Sequence, residues 1–258
     1  ARYNVVILPV MNPDGYVHTW TSNRYWRKNR RQNSANSFGV DLNRNWGETW
    51  GSNNGSSGNT NSETYRGTAA FSEPETLAVS NFIAANPDII VHWDVHSYGK
   101  FILYPFGHTA TPTANAGEYA RLSAAMEAGF EGPFGENYTA GPSYTTLYPV
   151  SGGSKDWSHI NRGILAWVLE LRGTDFVLPP DQIIPNSLET LAAFFAMTNT
   201  LCQADLNNDA FVDDADFVLF AQAYELFTDR RGDLNGDTLT DDADFVLFAE
   251  AYEQFACP

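Results

Sequence analysis

Over its first 200 residues the chain alternates between runs of period two and runs of period 3.6, which predicts alternating strands and helices. Val5–Val10 is continuously apolar and predicts a strand buried on both faces. Asn12-Pro13-Asp14-Gly15 reads as a turn. Residues 51–62, GSNNGSSGNTNS, have nothing to bury and predict a flexible surface loop. Ser72 with Glu75 spells a capping box, and Leu77, Phe82 and Ile83 supply an apolar face, so a helix is expected to run to about Ala85. Ile89–His96, Phe101–Tyr104 and Leu165–Leu171 predict strands, and Asn115–Phe130 and Asn186–Leu201 predict helices. The expected class over residues 1–201 is α/β, with a mixed, largely parallel sheet flanked by helices.

The last segment repeats itself. Residues 205–225, DLNNDAFVDDADFVLFAQAYE, recur as 233–253, DLNGDTLTDDADFVLFAEAYE, and two copies predict a pseudo-twofold unit, a small all-α calcium-loop domain over 202–258. Each copy puts oxygen-bearing side chains at positions 1, 3, 5, 9 and 12: Asp205, Asn207, Asp209, Asp213 and Asp216, then Asp233, Asn235, Asp237, Asp241 and Asp244. With the carbonyls of Phe211 and Leu239 between them, that is the ligand spacing of an EF-hand-like loop, so Ca2+ is the expected ion. Each loop leads into an apolar helix carrying Phe217, Val218 and Phe220, or Phe245, Val246 and Phe248, which argues against a solvated acidic tail. Ala210 and Thr238 stand where such loops usually have Gly. Asp at position 12 and a single helix after each loop resemble dockerin modules, which implies a cohesin-like scaffold or cell-surface protein as partner.

Charge sharpens the division. The 258 residues carry 31 acids and 15 bases, a net −16, but residues 201–258 hold 14 acids against 2 bases while residues 1–200 hold 17 against 13. The acid excess argues against nucleic acid as a partner, and no apolar run is long enough to span a membrane. The two cysteines, Cys202 and Cys257, bracket the repeat. A bridge between them would add about 4 kcal/mol in the chain-entropy model and would need an oxidising, extracellular setting; two buried thiols are the alternative. The chain opens without Met or a leader segment and is expected to be part of a longer precursor.

Two polar residues sit in awkward places. His96 ends an apolar strand, and Glu170 lies inside LAWVLEL, where a buried carboxylate is costly unless it is paired or working. A carboxylate at a strand end is a general-base candidate, and a structural acid satisfied by Arg172 is an equal competitor from these residues alone.

The strings NPDGY (12–16), NRYWRKNRR (23–31), GVDLNRNW (39–46), HSYGKFILYPFG (96–107), TTLYPVSGGSKDWS (145–158) and ELRGT (170–174) occur in this order. Together they resemble the zinc carboxypeptidases of the pancreatic A/B type, over about 200 residues. The resemblance implies Zn2+ as cofactor and peptide or protein C-termini as substrate. By it, His96 is a zinc ligand, Arg27 stabilises the scissile oxyanion, and Asn43 and Arg44 grip the terminal carboxylate. Tyr148 closes over that carboxylate, Glu170 is the general base, and Asp41 orients a metal-ligating His. Lys155, between SGGS and Asp156-Trp157, falls at the base of the pocket for the last side chain, which points to acidic ends; a lysine reaching back to solvent is the alternative.

One departure stands out. The family's His-x-x-Glu string is absent: none of His18, His92, His96, His108 and His159 is followed by Glu three residues on. His92 and His96 lie about 13 Å apart along a strand, too far to chelate one ion. The expectation is therefore a secreted metallocarboxypeptidase lacking its N-terminal part and inactive in this form, with a non-catalytic, calcium-anchored binder of peptide C-termini as the alternative.

Overall fold

The structure is a computed structural model that describes residues 3–201, 203–207, 211–227, 229–235 and 237–253. In chain order its elements are α1 (Pro13–Thr21), β1 (Gln32–Ser34), β2 (Ser37–Phe38), α2 (Pro74–Ala85), β3 (Val91–Ser97), β4 (Phe101–Tyr104), α3 (Ala116–Phe134) and β5 (Thr139–Pro142). There follow α4 (Ser143–Thr146), α5 (Ser154–Arg162), β6 (Leu165–Leu171), α6 (Ile183–Thr200), α7 (Asp214–Leu226) and α8 (Asp242–Glu253). They group into two compact units, Leu8–Thr113 with Asn137–Asn186, and Ala1–Ile7 with Ala114–Glu136 and Ser187–Pro258. The repeated segment thus groups with α3 and most of α6.

The first of these units holds a four-stranded sheet in the order β3-β6-β4-β5. β3 pairs with β6, and β4 with β5, in parallel; β4 and β6 are antiparallel, so the sheet is mixed and largely parallel, as expected. The central strand β6 is buried from Leu165 through Leu169, which is why its sequence runs apolar without alternation. Helix α5 packs on β6 and β3, and α4 on β5 and β4.

Four local expectations are corrected. Val5–Val10 joins no strand of the sheet, and its side chains are exposed, Ile7 at 77%. An apolar run says what burial would suit it, not whether a partner lies alongside. Asn12-Pro13-Asp14-Gly15 starts α1 instead of making a turn: the Asn12 side chain accepts from the Gly15 N–H at 2.9 Å and Pro13 occupies the first turn. The box before α2 is not formed. Ser72 Oγ donates to Glu73, and the Asn45 side-chain oxygen takes the Glu73 N–H at 3.2 Å and the Thr76 hydroxyl at 2.7 Å, a cap supplied from thirty residues away. Helix α2 then buries Thr76, Ser80 and Ile83 and leaves Leu77 and Phe82 exposed. Residues 51–62 form no helix or strand, yet Gly55 is buried and its carbonyl accepts from Arg44 Nε at 2.9 Å.

In the second unit, α3 and α6 approach closely where Gly129 lies so near the Ala193 Cα that a Cβ would sit 2.5 Å from it. Tyr119, Leu122, Met126, Phe130, Ala193 and Met197 are buried there. Arg121 Nη1 donates to the Thr200 carbonyl at 2.7 Å, a cation at a helix C-terminus.

The two copies of the repeat are related as expected of a pseudo-twofold pair. Phe220 and Phe248, each 1% exposed, stack at 4.8 Å between ring centres. The Tyr224 hydroxyl donates to Asp242, and the Tyr252 hydroxyl donates to Asp214, the same bond made in both directions. Phe217, Val218, Phe245 and Val246 are instead largely exposed. The expected Cys202–Cys257 bridge lies outside the described residues.

Two histidines of the sheet unit give the fold a pH dependence. His92 Nδ1 meets Ser158 Oγ at 2.9 Å and His159 Nε2 meets Thr113 Oγ1 at 2.7 Å. Burial lowers the pKa of both below the usual 6.5. The unfolded chain therefore takes up protons that the folded chain refuses, and stability falls as pH drops below about 6.5. Thermal midpoints measured from pH 7.5 to 5 should decline less steeply in His92→Gln and His159→Gln; slopes equal to the parent's in both would refute this.

Candidate active-site cleft

The parallel register of β3 and β6 sets His96 opposite Glu170 and Asp94 opposite Val168. Side chains alternate along strands, so these four share one face. Segment 41–46 is brought against that face by segment 150–157. Gly152, at φ +69°, lies so close to the Arg44 carbonyl that a Cβ would be 2.4 Å from it, and its own carbonyl accepts from the Trp46 N–H at 2.9 Å. Trp46 and Trp157 pack at 5.3 Å between ring centres, over Ile83 and Ile164.

The result is a single cleft lined by Arg27, Asn43, Arg44, His96, Tyr148, Lys155 and Glu170, with Asp156, Val150 and Val168 among its other walls. Seven of the eight residues singled out for the zinc-peptidase site thus come together, Asp41 lying outside the lining. Asn43 bridges segments: its Oδ1 accepts from the Ser154 N–H at 3.1 Å and its Nδ2 meets His96 Nε2 at 3.1 Å. Arg44 is buried, with Nη1 on the Asn43 carbonyl at 2.8 Å. Tyr148 is half exposed at the cleft wall. Lys155 is 3% exposed, so its side chain does not reach back to solvent; Nζ lies 2.6 Å from Asp156 Oδ1.

Asp41 lies beside Arg27 and Asn43. It is buried, takes Arg27 Nε at 3.1 Å and Nη2 at 2.9 Å on Oδ2, and takes the Asn43 N–H at 3.1 Å on Oδ1. It orients Arg27 and Asn43, and its hydrogen bonds include none to a histidine. Arg172 does not neutralise Glu170: its guanidinium donates to Gln182, and among the described residues the Glu170 carboxylate has no hydrogen-bond partner.

The carboxylates differ in state. Burial would raise Asp94, but His96, 3.0 Å from its Oδ1, together with Ser154 Oγ, holds it well below the usual carboxylate range. Burial works against a charge on His96, and the Asp94 carboxylate outweighs that and raises it. Glu170 is pushed up, chiefly by burial, with His96 and Arg27 pulling the other way. Asp94 escaped the sequence reading. Its signal was its place two residues before His96, which puts both on one face of a strand.

The family profile "Zinc carboxypeptidase" matches residues 1–193. The chain belongs to the zinc carboxypeptidase family. As a member it is 39% identical over 204 residues to Zinc carboxypeptidase A 1 of Drosophila melanogaster, across 76% of this chain and 47% of that protein. It is 41% identical over 204 residues to Carboxypeptidase B of Bos taurus, across 77% of this chain and 48% of that protein. The crystal structure of carboxypeptidase A from Helicoverpa armigera superposes with a TM-score of 0.70 at 33% identity, covering 74% of this chain and 50% of that one. The chain thus spans about half the length of these relatives.

The family implies zinc, and catalytic zinc usually takes three protein ligands. Among the described residues no three His, Cys, Asp or Glu side chains are arranged to hold a metal ion, and the His96 ring rests on Asp94 and Asn43.

In the repeated loops the expected calcium ligands meet backbone donors. Asp216 and Asp244, expected as calcium ligands, are buried, and each collects three backbone N–H groups. Asp216 takes those of Leu206, Asn207 and Asp213 at 2.7, 3.0 and 3.0 Å, and Asp244 takes those of Leu234, Asn235 and Asp241 at 2.8, 2.9 and 2.9 Å. Asp213 and Asp241 cap α7 and α8 through the N–H groups of Ala215 and Ala243. Asp233 and Asp237 bind N–H groups within their own loop. These carboxylates accept from backbone donors, with Asp209 outside the described residues.

The buried Glu170 carboxyl has a cost. A carboxyl whose folded pKa lies above its ordinary 4.5 holds its proton more tightly folded than unfolded, so the ionised form weakens the fold at neutral pH. Glu170→Gln should therefore raise the thermal midpoint of the metal-free chain at pH 7, with the gain fading as pH falls toward 4.5 and absent well below it. A lowered midpoint at pH 7 would show the charged carboxylate to be stabilising.

Proposed function

We propose that this chain supplies the substrate-recognition and general-base face of a secreted zinc carboxypeptidase that releases C-terminal residues from peptides, with acidic ends preferred. What supports the reading is the convergence of Arg27, Asn43, Arg44, Tyr148, Lys155 and Glu170 on one cleft. A terminal carboxylate calls for a planar, permanently charged fork, and Arg44 beside Asn43 offers one. Arg27, held by Asp41, suits an oxyanion developing on the scissile carbonyl. Glu170 suits proton abstraction from water, because burial moves its pKa toward the working pH.

With zinc and the remainder of its catalytic domain present, the enzyme to which this chain contributes should release the last residue of a peptide with a free C-terminus and leave its C-terminal amide intact. Glu170→Gln should lower kcat by about 100- to 10,000-fold with KM little changed. Mass spectrometry of the products checks this. Binding without release in the wild type would favour the second reading, a non-catalytic receptor for peptide C-termini.

The repeat is proposed as a dockerin-like calcium module that attaches the enzyme to a cohesin-like scaffold. Supporting it is the matched geometry of the loops, including a backbone at Thr238 with φ +83°, the conformation that glycine would favour there. Millimolar calcium should raise the chain's thermal midpoint and a chelator should reverse the gain; a midpoint indifferent to both would sink the calcium reading.

A further inference from the structure

Lys155 does not stand alone at the base of the cleft. Its ammonium lies 2.6 Å from Asp156 Oδ1, and both side chains are almost wholly buried. The same carboxylate takes the Gly107 N–H on both oxygens, at 3.0 and 2.9 Å, and His108 Nδ1 on Oδ2 at 3.0 Å. Burial would raise the Asp156 carboxyl, but Lys155, His108 and the Gly107 N–H hold it well below the usual carboxylate range. An ionised carboxylate only accepts, so His108 carries its proton on Nδ1 and donates. The His108 ring also packs edge-on against Phe106, with ring centres 5.0 Å apart.

One carboxylate is therefore shared among three donors. A lysine fully matched by its neighbour offers an entering acidic side chain little net charge. Each further donor that draws on Asp156 loosens its grip on Lys155 and leaves more of the ammonium for substrate.

We propose that Asp156 and His108 are positioning residues that set how much positive charge Lys155 presents to the substrate's last side chain, Asp156 masking it and His108 unmasking it. The proposal rests on Lys155 forming the base of the specificity pocket.

The two residues must then act with opposite signs, which a merely structural role would not produce. The probes are N-acetyl-Phe-Glu and N-acetyl-Phe-Leu, and the readout is the ratio of their dissociation constants on the full chain by calorimetry. Asp156→Asn keeps the shape and an acceptor for Gly107 but removes the charge, and should shift the ratio toward Glu by about tenfold. His108→Phe keeps the ring against Phe106 but removes the donor, and should shift it toward Leu by about threefold; His108→Gln, which can still donate, should restore it. Both shifts should vanish in a Lys155→Met background. Shifts in the same direction, or shifts that survive without Lys155, overturn the proposal; if Asp156→Asn fails to fold, the His108 pair decides alone. If Lys155→Met by itself leaves the ratio unchanged, or neither peptide binds, the pocket reading fails and this proposal with it.

Discussion

The parallel pairing of β3 with β6 is the constraint on which the cleft depends. Because side chains alternate along a strand, a slip of one residue would turn His96 and Asp94 to the opposite face while Glu170 stayed where it is. Strand β6 is buried from Leu165 through Leu169, whereas β3 is only partly buried. The remaining parts are docked onto this pair. Trp46 against Trp157 and Gly152 against Arg44 join segment 41–46 to the start of α5, and those contacts carry Asn43, Arg44 and Lys155 into place.

Electrostatics then gives the carboxylates different jobs. Asp94 is kept ionised by His96, and Asp156 by Lys155; Asp41 binds Arg27 in a fork of two hydrogen bonds. Glu170 alone is pushed toward its neutral form, because its compensation comes from charges that do not hydrogen-bond to it. Neighbouring acids with environments that push their pKa values apart are the usual arrangement where one must accept a proton and the others must stay charged. A fully satisfied Glu170 would be a better structural residue and a poorer proton acceptor, the role proposed for it.

Much of this was legible in the chain. Strand β6 matches the expected Leu165–Leu171 at both ends, β4 matches Phe101–Tyr104, and the polar anomalies His96 and Glu170 marked the cleft. What failed did so for physical reasons. Asn, Pro, Asp and Gly favour turns and helix starts alike, so NPDG could not be resolved locally. The capping of α2 by Asn45 is a long-range event that no window of residues contains. Asp156 and His108 lie 48 residues apart in sequence. Their partnership depends on Gly107 and Val150 lying side by side, their backbones joined by a 2.8 Å hydrogen bond. Val5–Val10 shows the converse: a pattern suited to burial stays exposed when no strand lies beside it.

The reciprocal tyrosine bonds of the repeat carry a consequence for how that segment behaves. Tyr224 of the first copy is tied to Asp242 at the start of the second copy's helix, and Tyr252 of the second is tied to Asp214 at the start of the first's. Each loop thus ends on a residue clasped by the other copy, and Phe220 and Phe248 share one stack between them. Neither half has a complete interior of its own. A disturbance at one loop reaches the other through these two tyrosines and the shared phenylalanine stack, so the two halves should melt, and respond to any ligand, as one cooperative element.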